Sequence, residues 1–113
     1  MTQPALADDV FRALADPTRR KVLERLAKGP ASVSDLAEPF DMKLPSFVQH
    51  LAVLERTGLV KSKKTGRVRV FRINPPRLRV AEDWLAEQRR LWEARLDQLD
   101  EYLHRLKAKE ENP

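Results

Sequence analysis

The chain has 113 residues, 42% hydrophobic and 35% charged, with a formal net charge of +5 at pH 7. This length suits one core, so we expect one domain over residues 1–113. With no cysteine and only two histidines, disulfides and thiolate sites are excluded. No nucleophile–base pair or glycine-rich phosphate loop indicates an enzyme. No signal peptide or membrane-spanning apolar run is present, so we expect a cytoplasmic location.

The positive charge is concentrated in one segment. Residues 56–80 contain nine lysines and arginines and no acidic residue, whereas residues 1–55 and 81–113 each carry more acidic than basic side chains. Such a concentration indicates a polyanionic partner, with DNA or RNA the first candidate and an anionic membrane the second. A basic surface that is merely solvated is the alternative.

Two helices are predicted at the start of the chain. The first, over Leu6–Ala15, is amphipathic and needs a partner surface. Its apolar face consists of Val10, Phe11 and Leu14. The second begins at Asp16-Pro17, with aspartate as N-cap and proline at the first helical position. We interpret its outer cations, among them Arg19 and Arg20, as a solubilising face.

The stretch Ser32–Thr57 is predicted to form two short helices joined by a tight turn. Ser32 starts the first helix, and Pro39 ends it because proline has no amide hydrogen to donate. Pro45 lies in the first turn of the second helix, where the missing donor has no cost. That helix stops before Gly58, the residue type typical of this position.

The second of these helices has an apolar stripe and a chemically varied outer face. Its inward stripe consists of Phe47, Leu51 and Leu54. A cation, a hydroxyl, an amide and an imidazole lie on the other faces; they belong to Lys43, Ser46, Gln49 and His50. Groups of this kind hydrogen-bond to base edges in a major groove. An ordinary amphipathic helix with a polar face is the alternative.

Residues Leu59–Lys64 and Val68–Ile73 are predicted to form a hairpin, because apolar and polar residues alternate there. Its turn, Lys64–Arg67, is basic and contains a glycine. The fold class is therefore mainly α with a small β-hairpin: a winged helix-turn-helix of about five helices plus a two-stranded wing. The hairpin would lie along the sugar-phosphate backbone or enter a minor groove. A basic ribbon serving only solubility and edge protection is the alternative.

A long helix is predicted over residues 77–107, which contain no proline or glycine and carry apolar residues at near-heptad spacing. Its length, roughly 45 Å, exceeds what so small a domain can cover, so we expect a homodimer. The predicted interface consists of Val10, Phe11, Leu14, Leu85, Trp92, Leu96, Leu99 and Leu103. A monomer with the helix folded back is the alternative. Residues 108–113 are predicted to be a flexible tail.

Several short segments resemble the ArsR family of bacterial winged-helix repressors, and the resemblance extends over nearly the whole chain. These segments are Phe11–Arg19, Ser34–Ala37, Gln49–Leu54, Gly58–Val60 and Gly66-Arg67. Members of this family are homodimers that bind pseudo-palindromic operators and block transcription. The resemblance implies a dimeric, sequence-specific regulator that represses from an inverted-repeat operator. Activation from another operator position, and a winged-helix module that binds protein instead of DNA, are the alternatives.

The resemblance also implies which residues approach DNA. On the recognition helix these are Lys43, Ser46, Gln49 and His50. On the wing, residues that hold the backbone are Lys63, Lys64, Gly66 and Arg67, and we add Arg69 on the second strand.

Many family members sense metals, but the familiar ligand positions are different here. Where one site has a cysteine pair, this chain has Ser32-Val33-Ser34. Where another has ligands along the last helix from an aspartate near Asp83, the later positions are residues such as Leu85, Glu93 and Leu96, and His104 stands alone. The resemblance therefore implies the branch without metal sensing, with no metal or cofactor. The residues identify no small-molecule inducer.

Overall fold

The computed structural model describes residues 4–111 and, within them, five helices and one three-stranded antiparallel sheet. The elements along the chain are α1 (Pro4–Leu14), α2 (Pro17–Leu26), β1 (Ala31–Ser32), α3 (Val33–Ala37), α4 (Leu44–Arg56), β2 (Val60–Thr65), β3 (Val68–Ile73) and α5 (Pro75–Glu111). Helices α3 and α4 form the helix-turn-helix, and β2 and β3 form the wing. The predicted winged helix-turn-helix is confirmed.

The local start and stop signals act as predicted. The Asp16 carboxylate accepts the Arg19 backbone N–H at 2.9 Å and caps α2, and the Ser32 hydroxyl accepts the Asp35 N–H at 3.2 Å and caps α3. Pro45 lies in the first turn of α4, and Gly58 follows this helix with a φ of 81°. That left-handed conformation favours glycine because it has no Cβ.

The ends of the chain differ from the prediction. Helix α1 begins at Pro4 and α5 at Pro75, each before the predicted first residue. Helix α5 continues to Glu111, so residues 108–111, which we predicted to be a flexible tail, are helical. Lysine, alanine and glutamate in this segment are all strong helix formers. The last two residues of the predicted tail lie outside the described residues.

The sheet contains a strand that the sequence did not indicate. Its order is β1-β3-β2, with Ala31 paired to Phe71 and Ser32 to Val70. The predicted two-stranded wing is confirmed, and β1 adds a short third strand to its sheet. Thr65 pairs with Val68, so the wing turn consists of Gly66 and Arg67 alone, and Gly66 has a φ of 65°.

The chain divides into two compact units at Ala81, inside α5. The first unit has a hydrophobic core to which all the earlier helices and the sheet contribute. The predicted inward residues of α4 are confirmed: Phe47, Leu51 and Leu54 are buried. Burying a side chain of this size contributes about 1.5–3 kcal/mol. Core residues from the other elements include Val10, Ala13, Val22, Leu23, Leu26, Ala31, Leu36, Leu59, Val60, Phe71 and Ala81.

The second unit is the remainder of α5. Of residues 82–111, only Gln88 is half-buried in the single chain, and the others are exposed. The exposed side chains include large apolar ones along the whole segment. A helix with this pattern does not bury its apolar face within one chain.

Candidate nucleic-acid interface

Helix α4 presents a row of polar side chains to solvent. Lys43 is the N-cap residue, with extended backbone, and Ser46 and Gln49 follow at intervals of three. All three side chains are exposed, whereas the apolar stripe of the same helix is buried. Residues three apart lie on one face of a helix. The structure therefore places these three predicted residues together on the outer surface.

Two apolar residues of α4 are also exposed and were missed by the sequence reasoning. Leu44 is 55% and Val48 45% exposed, close in sequence to the polar row. Apolar side chains on a recognition helix contact the methyl group of thymine. Spacing did not reveal the exposure of Leu44, because it lies seven residues before Leu51 and so on the side of the buried stripe, at the first position of α4.

His50 differs from the exposed row. Its side chain is 23% exposed, and its Nδ1 lies 3.4 Å from the Asp16 Oδ2. That geometry falls short of a hydrogen bond, and this buried nitrogen has no hydrogen-bond partner among the described residues. The structure thus directs one side of the imidazole into the protein, toward the start of α2, rather than toward solvent with Gln49.

The wing is exposed and basic. Lys63, Lys64, Gly66 and Arg67 are all exposed on the β2–β3 hairpin, as predicted. Because residues 56–80 contain no acidic side chain, the hairpin itself has no internal carboxylate to neutralise these cations. An exposed ribbon of this kind is suited to contact a phosphate backbone.

Arg69 has a partner within the protein. Its Nη1 donates to the Ser62 Oγ at 2.8 Å, and the Ser62 hydroxyl in turn donates to the Glu55 carboxylate. The sequence reasoning missed this chain of contacts because Glu55 lies one residue before the acid-free segment. The three side chains connect the last turn of α4 to both wing strands.

A second set of contacts holds the C-terminal end of α4. The Asn74 side-chain amide donates to the Gly58 carbonyl at 2.8 Å, and the Asn74 backbone N–H donates to the Leu59 carbonyl at 2.9 Å. A Cβ at position 58 would lie 2.9 Å from the Arg77 Nε. The junction between recognition helix and wing is therefore tightly packed.

The arginines at the start of α2 cap the end of α1. Arg19 donates from Nε to the Ala13 carbonyl at 2.8 Å and from Nη2 to the Arg12 carbonyl at 3.0 Å. Arg20 donates from Nη1 to the Leu14 carbonyl at 2.7 Å. Our interpretation of both as a solubilising face is wrong, because their guanidinium groups donate to carbonyls at the C-terminal end of α1.

The first helix exposes less of its apolar face than predicted. Val10 is 0% exposed and belongs to the core, so it has no surface to offer a second copy; this part of the prediction is wrong. The sequence showed only that Val10 is on an apolar face and did not show what covers that face. Phe11 and Leu14 pack against the core and remain partly exposed.

The predicted interface residues of α5 are exposed in the single chain. Trp92 has the largest exposed fraction among the large apolar residues, 68%. The others of the predicted set are Leu85, Leu96, Leu99 and Leu103, and Trp84, Leu91, Tyr102 and Leu106 are exposed as well. Continuous apolar exposure along a helix marks an interaction surface.

Over residues 4–111, no group of three or more histidine, cysteine or carboxylate side chains is arranged to hold a metal ion. No helix in the described part of the chain is long and apolar enough to cross a membrane.

A polar recognition helix beside an acid-free basic wing, on a winged helix-turn-helix, defines the class of DNA-binding regulators. A family model described as a helix-turn-helix domain matches residues 14–63. The transcriptional repressor SdpR of Bacillus subtilis is 32% identical over 78 residues, 69% of this chain and 87% of that protein. The HTH-type transcriptional regulator Rv2034 of Mycobacterium tuberculosis is 43% identical over 68 residues, 60% of this chain and 64% of that regulator's length.

Solved structures agree with these relatives. The crystal structure of an ArsR family transcriptional regulator, RHA00566, is 53% identical with a TM-score of 0.78, over 82% of this chain and 97% of that one. The homodimeric winged helix-turn-helix domain Mb0332 of Mycobacterium bovis is 26% identical with a TM-score of 0.61, over 77% and 82%. The chain belongs to the ArsR family of winged helix-turn-helix transcriptional regulators.

Proposed function

We propose that this regulator is a cytoplasmic homodimer that binds an inverted-repeat operator and represses transcription. The observation that carries this proposal is the exposed row of Lys43, Ser46 and Gln49 next to a wing without acidic residues. In a dimer, two such helices enter successive major grooves about 34 Å apart. The wings contact the flanking backbone.

The two parts of the surface have different tasks. Gln49 reads a base, because its amide forms a bidentate pair with adenine, and Leu44 and Val48 contact thymine methyl groups. Lys63, Lys64 and Arg67 neutralise phosphates, which supplies much of the affinity without sequence preference. Arg69 donates to Ser62, and the His50 Nδ1 faces the Asp16 carboxylate inside the protein, so we assign both to positioning.

The exposed apolar face of α5 supports the homodimer. Its large side chains are unburied in one chain, and a second copy of the same helix offers a surface of the same chemistry. The related Mb0332 domain is homodimeric. We therefore propose that the interface includes Leu85, Trp92, Leu96, Leu99 and Leu103, with Phe11 and Leu14 as further candidates. In this proposal the whole chain is one functional module, with α5 as its dimerisation helix.

Repression is supported by the relationship to SdpR, which is a transcriptional repressor. A dimer held on an operator that overlaps a promoter excludes the polymerase sterically. Its location in the cytoplasm follows from the need to reach DNA.

Sequencing the genomic DNA fragments that the purified protein retains tests this function. We expect enrichment of an imperfect inverted repeat whose half-site centres lie about one helical turn, or a multiple of it, apart. Retention that falls steeply with salt is expected as well. Absence of any enriched sequence, together with no retention at low salt, would favour a protein-interaction module instead.

A further inference from the structure

His50 lies next to Gln49 on the recognition helix, but its Nδ1 faces away from the exposed row. This nitrogen is buried, lies 3.4 Å from the Asp16 Oδ2, and has no hydrogen-bond partner within residues 4–111. A buried polar atom without a partner is costly, and nearly all such atoms in folded proteins are paired. Among the carboxylates of the described residues, only that of Asp16 lies within 4 Å of a His50 ring nitrogen.

Asp16 follows the end of α1, is the N-cap residue of α2 and faces His50 of α4. The same oxygen that faces His50 accepts the Arg19 backbone N–H at 2.9 Å and so caps α2. The side chains of Arg19 and Arg20 are directed to the last carbonyls of α1. Their guanidinium groups therefore bind α1 rather than Asp16. The Asp16 carboxylate faces the imidazole and the Arg19 backbone N–H that it caps.

We propose that His50 is a positioning residue that fixes α4 against the start of α2 through Asp16, and does so more strongly when its ring is protonated. Protonated Nδ1 is a donor, and a charge-assisted hydrogen bond to a carboxylate is stronger than a neutral one. Histidine is the side chain that changes charge near physiological pH. The readout in DNA affinity rests on the proposed function.

The chain offers closely matched variants. Asp16→Asn removes the carboxylate charge but keeps a side-chain oxygen, and asparagine is as good an N-cap as aspartate. His50→Gln removes the imidazole. His104→Gln is the control, because His104 is the other histidine of the chain and lies exposed, 3.6 Å from Asp100.

Operator affinity is measured by fluorescence anisotropy at about pH 6 and about pH 8 for the four proteins. We expect the wild type and His104→Gln to bind about three- to tenfold more tightly at the lower pH, the scale of one net hydrogen bond. Affinity of His50→Gln and Asp16→Asn should be independent of pH. If Asp16→Asn keeps the wild-type response while His50→Gln loses it, His50 acts on DNA directly and the proposal is overturned. A wild type without any pH response overturns it too.

A second readout does not involve DNA. Because the contact favours the protonated ring, His50→Gln and Asp16→Asn should lower the thermal unfolding midpoint more at about pH 6 than at about pH 8, while His104→Gln changes neither. Equal losses at both pH values overturn the proposal. If wild-type protein bound no DNA, the proposed function would fail, and this measurement would still decide whether His50 and Asp16 interact.

Discussion

The two units of this molecule use apolar residues in opposite ways. Up to Ala81 the large apolar side chains mostly lie in a core, to which α4 contributes Phe47, Leu51 and Leu54. From Glu82 onward the helix exposes its leucines and both tryptophans of the chain. The first unit therefore satisfies its apolar surface alone, whereas the second requires another surface. In the proposed function, the first unit contacts DNA and the second unit forms the dimer.

The largest expected effect tests whether the first unit is stabilised by its own hydrophobic core. Phe47→Ala removes a fully buried ring from the core and should lower the free energy of unfolding by about 3–5 kcal/mol in a urea titration at fixed protein concentration. Val48→Ala, one position along the same helix, is the control, because Val48 is exposed. Its effect should stay within about 0.5 kcal/mol. Similar losses for both variants would contradict the assigned burial.

The next effect tests the second unit. Leu96→Asp places a carboxylate on the exposed apolar face and should weaken self-association by about 2–4 kcal/mol, because a charge buried in an interface is not compensated. Ala94→Asp introduces the same charge on the side of α5 opposite to Leu96 and should leave association nearly unchanged. Sedimentation equilibrium measures both. If neither variant altered association, the dimer interface would lie elsewhere.

Within the first unit, the proposed roles of Gln49 in base recognition and of Arg67 in phosphate contact can be tested separately. Gln49→Ala should cost about 1–3 kcal/mol at one operator base pair and relax the preference there. Competition binding with single-base operator variants measures that cost. A uniform loss over all sequences would show that Gln49 does not read a base.

Arg67→Ala should weaken specific and random DNA alike. It should also reduce the salt slope of binding by about one, because one phosphate contact is lost. Anisotropy titrations at several salt concentrations provide the slope. An unchanged slope together with altered base preference would reverse the roles assigned to the wing and the helix.

The smallest effect is expected for an ion pair on α5. Arg90 donates to the Glu87 carboxylate and, through this hydrogen bond and its charge, lowers the pKa of Glu87. A lowered pKa in the folded state stabilises the fold above the ordinary carboxyl range and loses that contribution as the pH falls. Because both groups are solvent-exposed, Glu87→Gln should leave the thermal midpoint unchanged at neutral pH. A clear drop would show that the pair is shielded in the assembled protein.

The sequence predicted those features that depend on neighbouring residues. The Asp16 and Ser32 caps, Pro45 in a first turn and Gly58 after a helix each act through local chemistry, and the structure confirms all four. The buried stripe of Phe47, Leu51 and Leu54 on α4 could also be predicted, because helical spacing determines which residues share a face.

Features that depend on distant residues could not be predicted. Strand β1 has only two residues, and its extended backbone is fixed by pairing with β3, forty positions away in the Ala31–Phe71 pair. The burial of Val10, the arginine caps on α1 and the orientation of His50 toward Asp16 likewise depend on how helices pack. Spacing identifies a face of a helix, but it does not identify what covers that face.

Native mass spectrometry of the protein with one operator duplex tests the division between a reading unit and an assembling unit most directly. We expect two chains on each duplex. Leu96→Asp should abolish that complex while the folded monomer persists. A single chain bound stably to a full operator, or a two-chain complex undisturbed by Leu96→Asp, would contradict it.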